Sequence, residues 1–253
     1  LSFKYPAADR PTLKNLNFEI HEGEILALMG FNGAGKSTLL NLFGGLTKVQ
    51  TGSLCLDGVP IEKALGKIGY LRQEPDLMLL ADTVREELGW KNKEFSEEDL
   101  QTFLQLLNLQ AYENDFPLAL SKGQRLRVVL GAMLAKRPRL LLLDEPTTGQ
   151  DEASLFAIKQ LLRDYKAQGG SVFICTHDVE LASEIADRVL LLNYGEILSI
   201  DKTRKILSDR KLIQQSGLVG SKLLDVSEGL GLEPCTTIEE VKQFVSPSTL
   251  GRN

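Results

Sequence analysis

One stretch constrains the chain more than any other: Gly30 to Thr38, which reads Gly-Phe-Asn-Gly-Ala-Gly-Lys-Ser-Thr. It has the form G-x-x-x-x-G-K-[ST], a loop that binds phosphate when it joins a strand to a helix. Both neighbours are present. The apolar run Ile25 to Met29 predicts a buried strand, and Ser37 to Phe43 predicts the opening turns of a helix. Glycines at 30, 33 and 35, with Asn32 and Ala34 between them, let backbone N–H groups turn inward onto phosphate oxygens. The helix that follows points its positive end at the same place. Lys36 is expected to reach the outer phosphates, and Ser37 to ligate Mg²⁺ beside Thr38.

Other features narrow the class. The chain has 253 residues, enough for one large α/β domain with an appendage. With 43% hydrophobic and 25% charged residues it is ordinary for a globular protein. A formal net charge of −5 argues against a nucleic-acid partner. Cys55, Cys175 and Cys235 stand far apart, which offers neither a zinc site nor a disulfide framework and fits a reducing compartment. No apolar run approaches the roughly 18 residues of a membrane span. The chain begins at Leu1 without Met, almost at once in strand-like sequence, as a piece of a longer protein would.

Taken in order, Leu1–Tyr5 predicts an edge strand and Leu16–Ile20 a half-buried one. Ser53–Gly58 predicts a strand closing in a turn, and Ile68–Leu71 a strand that delivers Gln73 into a loop. Asp82 and Thr83 are candidate caps for a helix carrying Val84, Leu88 and Trp90. Ser96, with Asp99 three residues on, forms a capping-box-like start to another helix. Ser121–Ala135 predicts a further helix. These helices form a subdomain inserted in an α/β core. Leu140–Leu143 is too short and apolar for an independent helix and predicts a central parallel strand. A helix over 151–168, a strand over 171–175, a helix over 179–186 and a hairpin around Asn193–Glu196 follow. Alternating strands and helices favour a mainly parallel sheet.

Two further groups carry chemistry. Asp144 and Glu145 end the Leu140–Leu143 run, where ligands of parallel sheets bind. Asp144 suits Mg²⁺ held through its water shell, and Glu145 suits a water aimed at a γ-phosphate. His177 ends the next strand, where it is placed to donate to a phosphate. Gln73 has the reach of a neutral ligand and sensor. Leu120-Ser121-Lys122-Gly123-Gln124 opens a helix and, on its own pattern, is a good helix N-terminus.

Together these pieces resemble the ATP-binding cassette (ABC) ATPases, whose signature motif usually reads Leu-Ser-Gly-Gly-Gln. The order Tyr5, phosphate loop, Gln73, Ser121–Gln124, Asp144-Glu145, Thr148-Gly149-Gln150-Asp151, His177 matches that family over about residues 1–205. The resemblance implies a P-loop NTPase nucleotide-binding domain: a mixed sheet core, an antiparallel N-terminal β part and a helical subdomain at about 82–135. A small C-terminal extension over 206–253 follows.

The resemblance also implies ATP and Mg²⁺ as cofactors, with Tyr5 stacking on adenine and Lys36, Ser37 and Thr38 on the phosphates and metal. Ser37, Gln73 and Asp144 would surround the metal. Gln73 would couple the nucleotide to a partner, Glu145 would be the catalytic carboxylate and His177 the switch histidine. In this family two cassettes close head to tail, so Ser121, Gly123 and Gln124 would meet ATP held by a second ABC subunit, with Asp151 at the seam. Two departures stand out. Lys122 replaces a glycine and either adds positive charge near the partner's phosphates or, the favoured reading, faces solvent, and Gln150 replaces a leucine.

Gln73-Glu74-Pro75-Asp76-Leu77, with Leu79 and Thr83-Val84, resembles the corresponding segment of energy-coupling factor (ECF) importers of vitamins and cobalt or nickel ions. So does the tail: Gly217-Leu218, Leu230–Pro234 and Thr236–Val241. That branch implies a transmembrane scaffold docked near Gln73–Trp90 and a peripheral position on the cytoplasmic face of the membrane. The alternative is a soluble ABC ATPase without a transport role. Such proteins usually carry paired cassettes or large arms.

Overall fold

The computed structural model describes residues 1–232 together with Cys235, Glu240, Val241 and Phe244. Its centre is a six-stranded sheet. β1 (Ile25–Met29) leads through the loop into α1 (Lys36–Phe43). A small antiparallel hairpin, β2 (Cys55–Leu56) and β3 (Val59–Pro60), runs into the short α2 (Ile61–Ala64). β4 (Ile68–Leu71) precedes α3 (Val84–Leu88), α4 (Glu97–Leu106) and α5 (Lys122–Leu134). Then come β5 (Leu140–Asp144), α6 (Glu152–Ala167), β6 (Ser171–Cys175), α7 (Val179–Ile185), β7 (Arg188–Asn193) and β8 (Glu196–Lys202). The helices α8 (Thr203–Leu207), α9 (Arg210–Gln215) and α10 (Lys222–Gly229) follow.

The sheet order is β4-β5-β6-β1-β7-β8, parallel except for β8, which pairs antiparallel with β7. β1, β5 and β6 are buried along their whole length. Helices covering both faces of a parallel sheet explain why those strands are unbroken apolar runs. Successive side chains of a strand point to opposite faces, and the core divides accordingly. Leu26, Leu28, Leu140, Leu142 and Phe173 pack with α1 and with Phe3, Leu13 and Leu16. Ile25, Ala27, Met29, Leu141, Leu143, Val172 and Ile174 pack against side chains of α3 to α9, including Ile206 and Ile213.

Several local expectations hold in detail. Thr83 caps α3 by accepting from Glu86 N, and Ser96 with Asp99 forms a reciprocal capping box. Others do not. Leu1–Tyr5 is no strand; Ser2 and Phe3 make only isolated bridges to Thr51 and Leu13. Leu16–Ile20 keeps an alternating burial pattern without a ladder. The side chains pack on the core while the backbone finds no neighbouring strand. α3 stops at Leu88, with Gly89 as its C-cap, so Trp90 lies outside it. Glu233, Pro234 and Thr236–Glu239 of the tail fall outside the described residues.

Candidate functional site

The carboxyl ends of β1, β5 and β6 build the site, because parallel neighbours all end on one side of the sheet. At the end of β1 the chain must turn hard. Gly30 has φ +143, and a Cβ there would stand 2.2 Å from the Leu192 carbonyl oxygen. Gly35 precedes α1 in a left-handed conformation and offers no side-chain cap, and no acidic residue occupies the first turn. The first N–H groups of α1 therefore remain available to an anion.

Lys36 is buried, and its Nζ donates to the carbonyls of Gly30 (2.7 Å) and Phe31 (3.1 Å). The ammonium thus sits inside the curl of its own loop. Ala34 is buried and holds the loop against β8's turn, its carbonyl accepting from Gly195 N (3.0 Å). Asn32, Gly33 and Ser37 are exposed, whereas Thr38 is buried. The Tyr5 hydroxyl lies 3.3 Å from the Thr38 hydroxyl, and the Tyr5 ring meets Phe3 edge-on. A residue from the N-terminal arm is therefore brought to the phosphate loop.

Asp144 ends β5, nearly buried. Burial pushes its carboxyl above the usual carboxylate range, opposed by hydrogen bonds from Cys175 and Ser37 and by the charge of Lys36. The Cys175 thiol is pushed up in turn, by burial first and by the neighbouring Asp144 and Glu145 carboxylates. Cys175 was not singled out from sequence. It closes an ordinary apolar strand, and nothing local marks it.

Glu145 has φ +51, a left-handed backbone that costs a side-chain-bearing residue about 1–2 kcal/mol. Pro146 behind it already disfavours the right-handed helical region, and Glu145 N donates to Cys175 O (3.0 Å). The turn aims the carboxylate at His177, whose Nδ1 lies 2.8 Å from Oε2. Gln73 lies just past β4, beside β5, exposed and without a hydrogen bond among the described residues. Ser37, Asp144 and Gln73 each carry an oxygen of the kind Mg²⁺ prefers, and no hydrogen bond joins Gln73 to the other two among the described residues. Ser37 stands near enough to the Asp144 carboxyl to oppose the rise in its pKa.

A second group stands at the starts of α5 and α6. Ser121 caps α5 in a capping box, its hydroxyl accepting from Gln124 N (3.3 Å) while Gln124 Oε1 accepts from Ser121 N (2.8 Å). Asp151 caps α6 through Ser154 N (2.7 Å), a bond that holds its carboxyl below the usual range. Gly123 is buried between the two helices, where a Cβ would stand 2.1 Å from Ser154 Oγ. The turn from Glu145 to Asp151 links this group to the first. Lys122 is exposed, as expected, and its Nζ also donates to Thr148 O (3.0 Å), which ties the start of α5 to that turn. Gln150, the other departure, lies against Gly123.

The segment after Gln73 presents Leu77 and Leu80 largely exposed. The buried Glu87 carboxylate fixes its far end, accepting from Leu80 N (2.7 Å) and Ala81 N (2.8 Å). Asp76 pairs with Arg125 Nε (2.8 Å), and Arg125 Nη1 also donates to Leu120 O (2.6 Å), the peptide before Ser121. Among the described residues no helix is long and apolar enough to cross a membrane.

Comparison with known proteins agrees with this arrangement. The ABC transporter family profile matches residues 13–148. An ABC transporter ATP-binding protein of Pyrococcus furiosus is 35% identical over 92% of this chain and 92% of its own length. The energy-coupling factor transporter ATP-binding protein EcfA2 of Methanospirillum hungatei is 37% identical over 91% of this chain, which spans 61% of that relative. Among solved structures, CbiO1 of Clostridium perfringens, described as part of the ABC transporter complex CbiONQ, superposes with a TM-score of 0.75 at 27% identity, covering 92% of this chain and 96% of that one. The ATP-binding cassette MJ0796, solved as a dimer bound to ADP and Pi, gives 0.69 at 32% identity over 80% and 96%. A phosphate loop, paired carboxylates and a strand-end histidine on this sheet, in a chain this similar to those relatives, make it a member of the ABC transporter family of ATP-hydrolysing cassettes.

Proposed function

We propose that this chain is the ATPase subunit of an importer of the energy-coupling factor type, and that residues 1–205 form its cassette, with a helical subdomain at about 82–135 and an extension from 206. The observation that carries the catalytic reading is the Glu145–His177 contact of 2.8 Å beside the phosphate loop. ATP lies with its adenine at Tyr5 and its phosphates in the Gly30–Thr38 loop, where phosphate oxygens take over the hydrogen bonds that Lys36 makes to Gly30 and Phe31. Ser37, Asp144 and Gln73 would hold Mg²⁺, which would supply positive charge against the outer phosphates. Glu145 accepts a hydrogen bond from the attacking water and orients it toward the γ-phosphorus. His177 contacts a γ-phosphate oxygen. The water oxygen bonds to phosphorus as the bond to the β-phosphate oxygen breaks, giving ADP and phosphate.

Ser121, Gly123 and Gln124 recognise ATP held by a second cassette, and Asp151 lies at that seam. The positive dipole end of α5 favours phosphate, and the Ser121 side chain takes only the Gln124 N–H of its first turn. A transmembrane scaffold docks near Gln73–Trp90, where Leu77 and Leu80 are exposed, and holds the chain at the cytoplasmic face of the membrane. The names of the M. hungatei and C. perfringens relatives support this branch, and by that analogy the cargo is a vitamin or a cobalt or nickel ion.

The test is Glu145→Gln, followed by phosphate release, ATP binding and mass in solution. Turnover should fall at least about a hundredfold with binding retained, and Mg-ATP should convert monomer to dimer. Retained turnover refutes the role of Glu145. A variant that binds ATP but stays monomeric means that a sister cassette or the membrane scaffold is required for closure.

A further inference from the structure

Glu180 stands in the first turn of α7, the helix that follows His177 directly. Its carboxylate turns away from its own helix to the C-terminal segment. It accepts from the Ser221 hydroxyl (3.0 Å to Oε1, 3.1 Å to Oε2) and from Lys222 N (2.9 Å). Ser221 is buried and is itself the N-cap of α10. A carboxylate at a helix start, bonded to a backbone N–H, is a charge-assisted tie favoured by the helix dipole.

The same segment reaches the phosphate loop just upstream. Gly217, at φ +68, lies so close to Phe31 that a Cβ would stand 3.1 Å from Phe31 Cβ. The Phe31 ring packs on Tyr194 with centroids 4.6 Å apart, and the Gln215 carbonyl accepts from Asn193 Nδ2 (3.4 Å). Residues 215–222 therefore run from the phosphate loop to the helix behind His177.

His177 has little else to place it. Its side chain is 68% exposed, and its hydrogen bond is to Glu145. The position of its ring follows from where the start of α7 stands. That start is set by the Asp178 cap, by Thr176, and from outside by Glu180.

We infer that Glu180 is a positioning residue, through which the C-terminal segment holds the start of α7 and so keeps His177 in contact with Glu145. The effect on turnover rests on the proposed role of His177; the effect on the ring's position does not. The experiment uses the full chain with Glu180→Ala, Glu180→Gln, Ser221→Ala and the double variant Glu180→Ala/Ser221→Ala. The chain has two histidines, so imidazole resonances can be assigned by replacing His21. Glu180→Ala should shift the His177 resonances and leave those of His21 in place. ATP turnover should fall about tenfold, with ATP affinity within about twofold. Glu180→Gln, whose amide oxygen still accepts from Lys222 N, should recover most of both signals. Ser221→Ala also removes the α10 cap, so the bridge is judged against that single variant: the double variant should lose no more than the worse of Glu180→Ala and Ser221→Ala.

Unmoved His177 resonances in Glu180→Ala, or losses that add in the double variant, overturn the inference. If His177→Ala itself keeps full turnover, the role of His177 has failed, and the resonances still decide whether Glu180 positions it. If His177→Ala is inactive while Glu180→Ala turns over normally, the inference about Glu180 alone has failed.

Discussion

His177 Nδ1 and Glu145 Oε2 stand 2.8 Å apart across the ends of two neighbouring parallel strands. An ionised carboxylate only accepts, so Nδ1 carries the proton in this contact. Donation from Nε2 to a phosphate as well then requires the doubly protonated ring. His177→Ala is expected to lower turnover by about a hundredfold, the usual cost of losing one donor to a transferring group. ATP affinity should stay within a few-fold. Single-turnover phosphate release beside equilibrium binding measures the two separately.

Asp144→Asn should separate stability from function. Burial raises the folded-state pKa of Asp144, so the folded chain holds this proton more tightly than the unfolded one. Wild-type stability from this group is complete below the unfolded value and declines as pH rises through the raised one. The asparagine variant lacks that decline. Its melting temperature should match the wild type in acid and exceed it by a margin that grows as pH rises from the unfolded to the raised folded value and then levels off, while turnover is lost. Thermal melts across that range check the sign, and a margin that shrinks with rising pH refutes it.

Gly123→Ala places a methyl group 2.1 Å from Ser154 Oγ, between the starts of two helices. Overpacking of this kind costs about 1–3 kcal/mol. Adding Ser154→Gly should recover part of that loss in denaturant unfolding. A variant as stable as the wild type would mean that the α5–α6 contact yields easily.

Leu77→Asp and Leu80→Asp alter exposed side chains, so folding stability should change by no more than about 0.5 kcal/mol. ATP turnover of the isolated chain should be unchanged, whereas co-purification with its membrane partner should fall sharply. Intact co-purification with both variants would place the docking surface elsewhere.

Much of this molecule is legible in the sequence because its strongest signals are local. Leu140–Leu143 is a buried parallel strand as its run of leucines implies, and Ser96, Ser121 and Asp151 cap the helices they precede. The misses are relationships between distant parts. Leu16–Ile20 has a strand's alternation, but whether a ladder forms depends on a neighbour that its own residues do not specify. The bond from Lys122 to Thr148 O has no local signal, because that carbonyl belongs to a turn beyond the lysine's own helix and the strand after it. Cys175 and Glu180 carry no local pattern at all; only packing brings them to Asp144 and Ser221.

The place of β1 in the sheet has a consequence for biosynthesis. β1 precedes both its partners, β6 and β7, by most of the cassette. A ribosome-bound chain therefore carries Ile25–Met29 without its neighbours until those two strands have been made. Pairings this remote in sequence form slowly, and an unpaired apolar strand invites association with other nascent chains. Chaperone dependence should accordingly concentrate in the period before residue 193 leaves the exit tunnel, and a chain stalled earlier should display the phosphate-loop sequence without being able to hold a nucleotide.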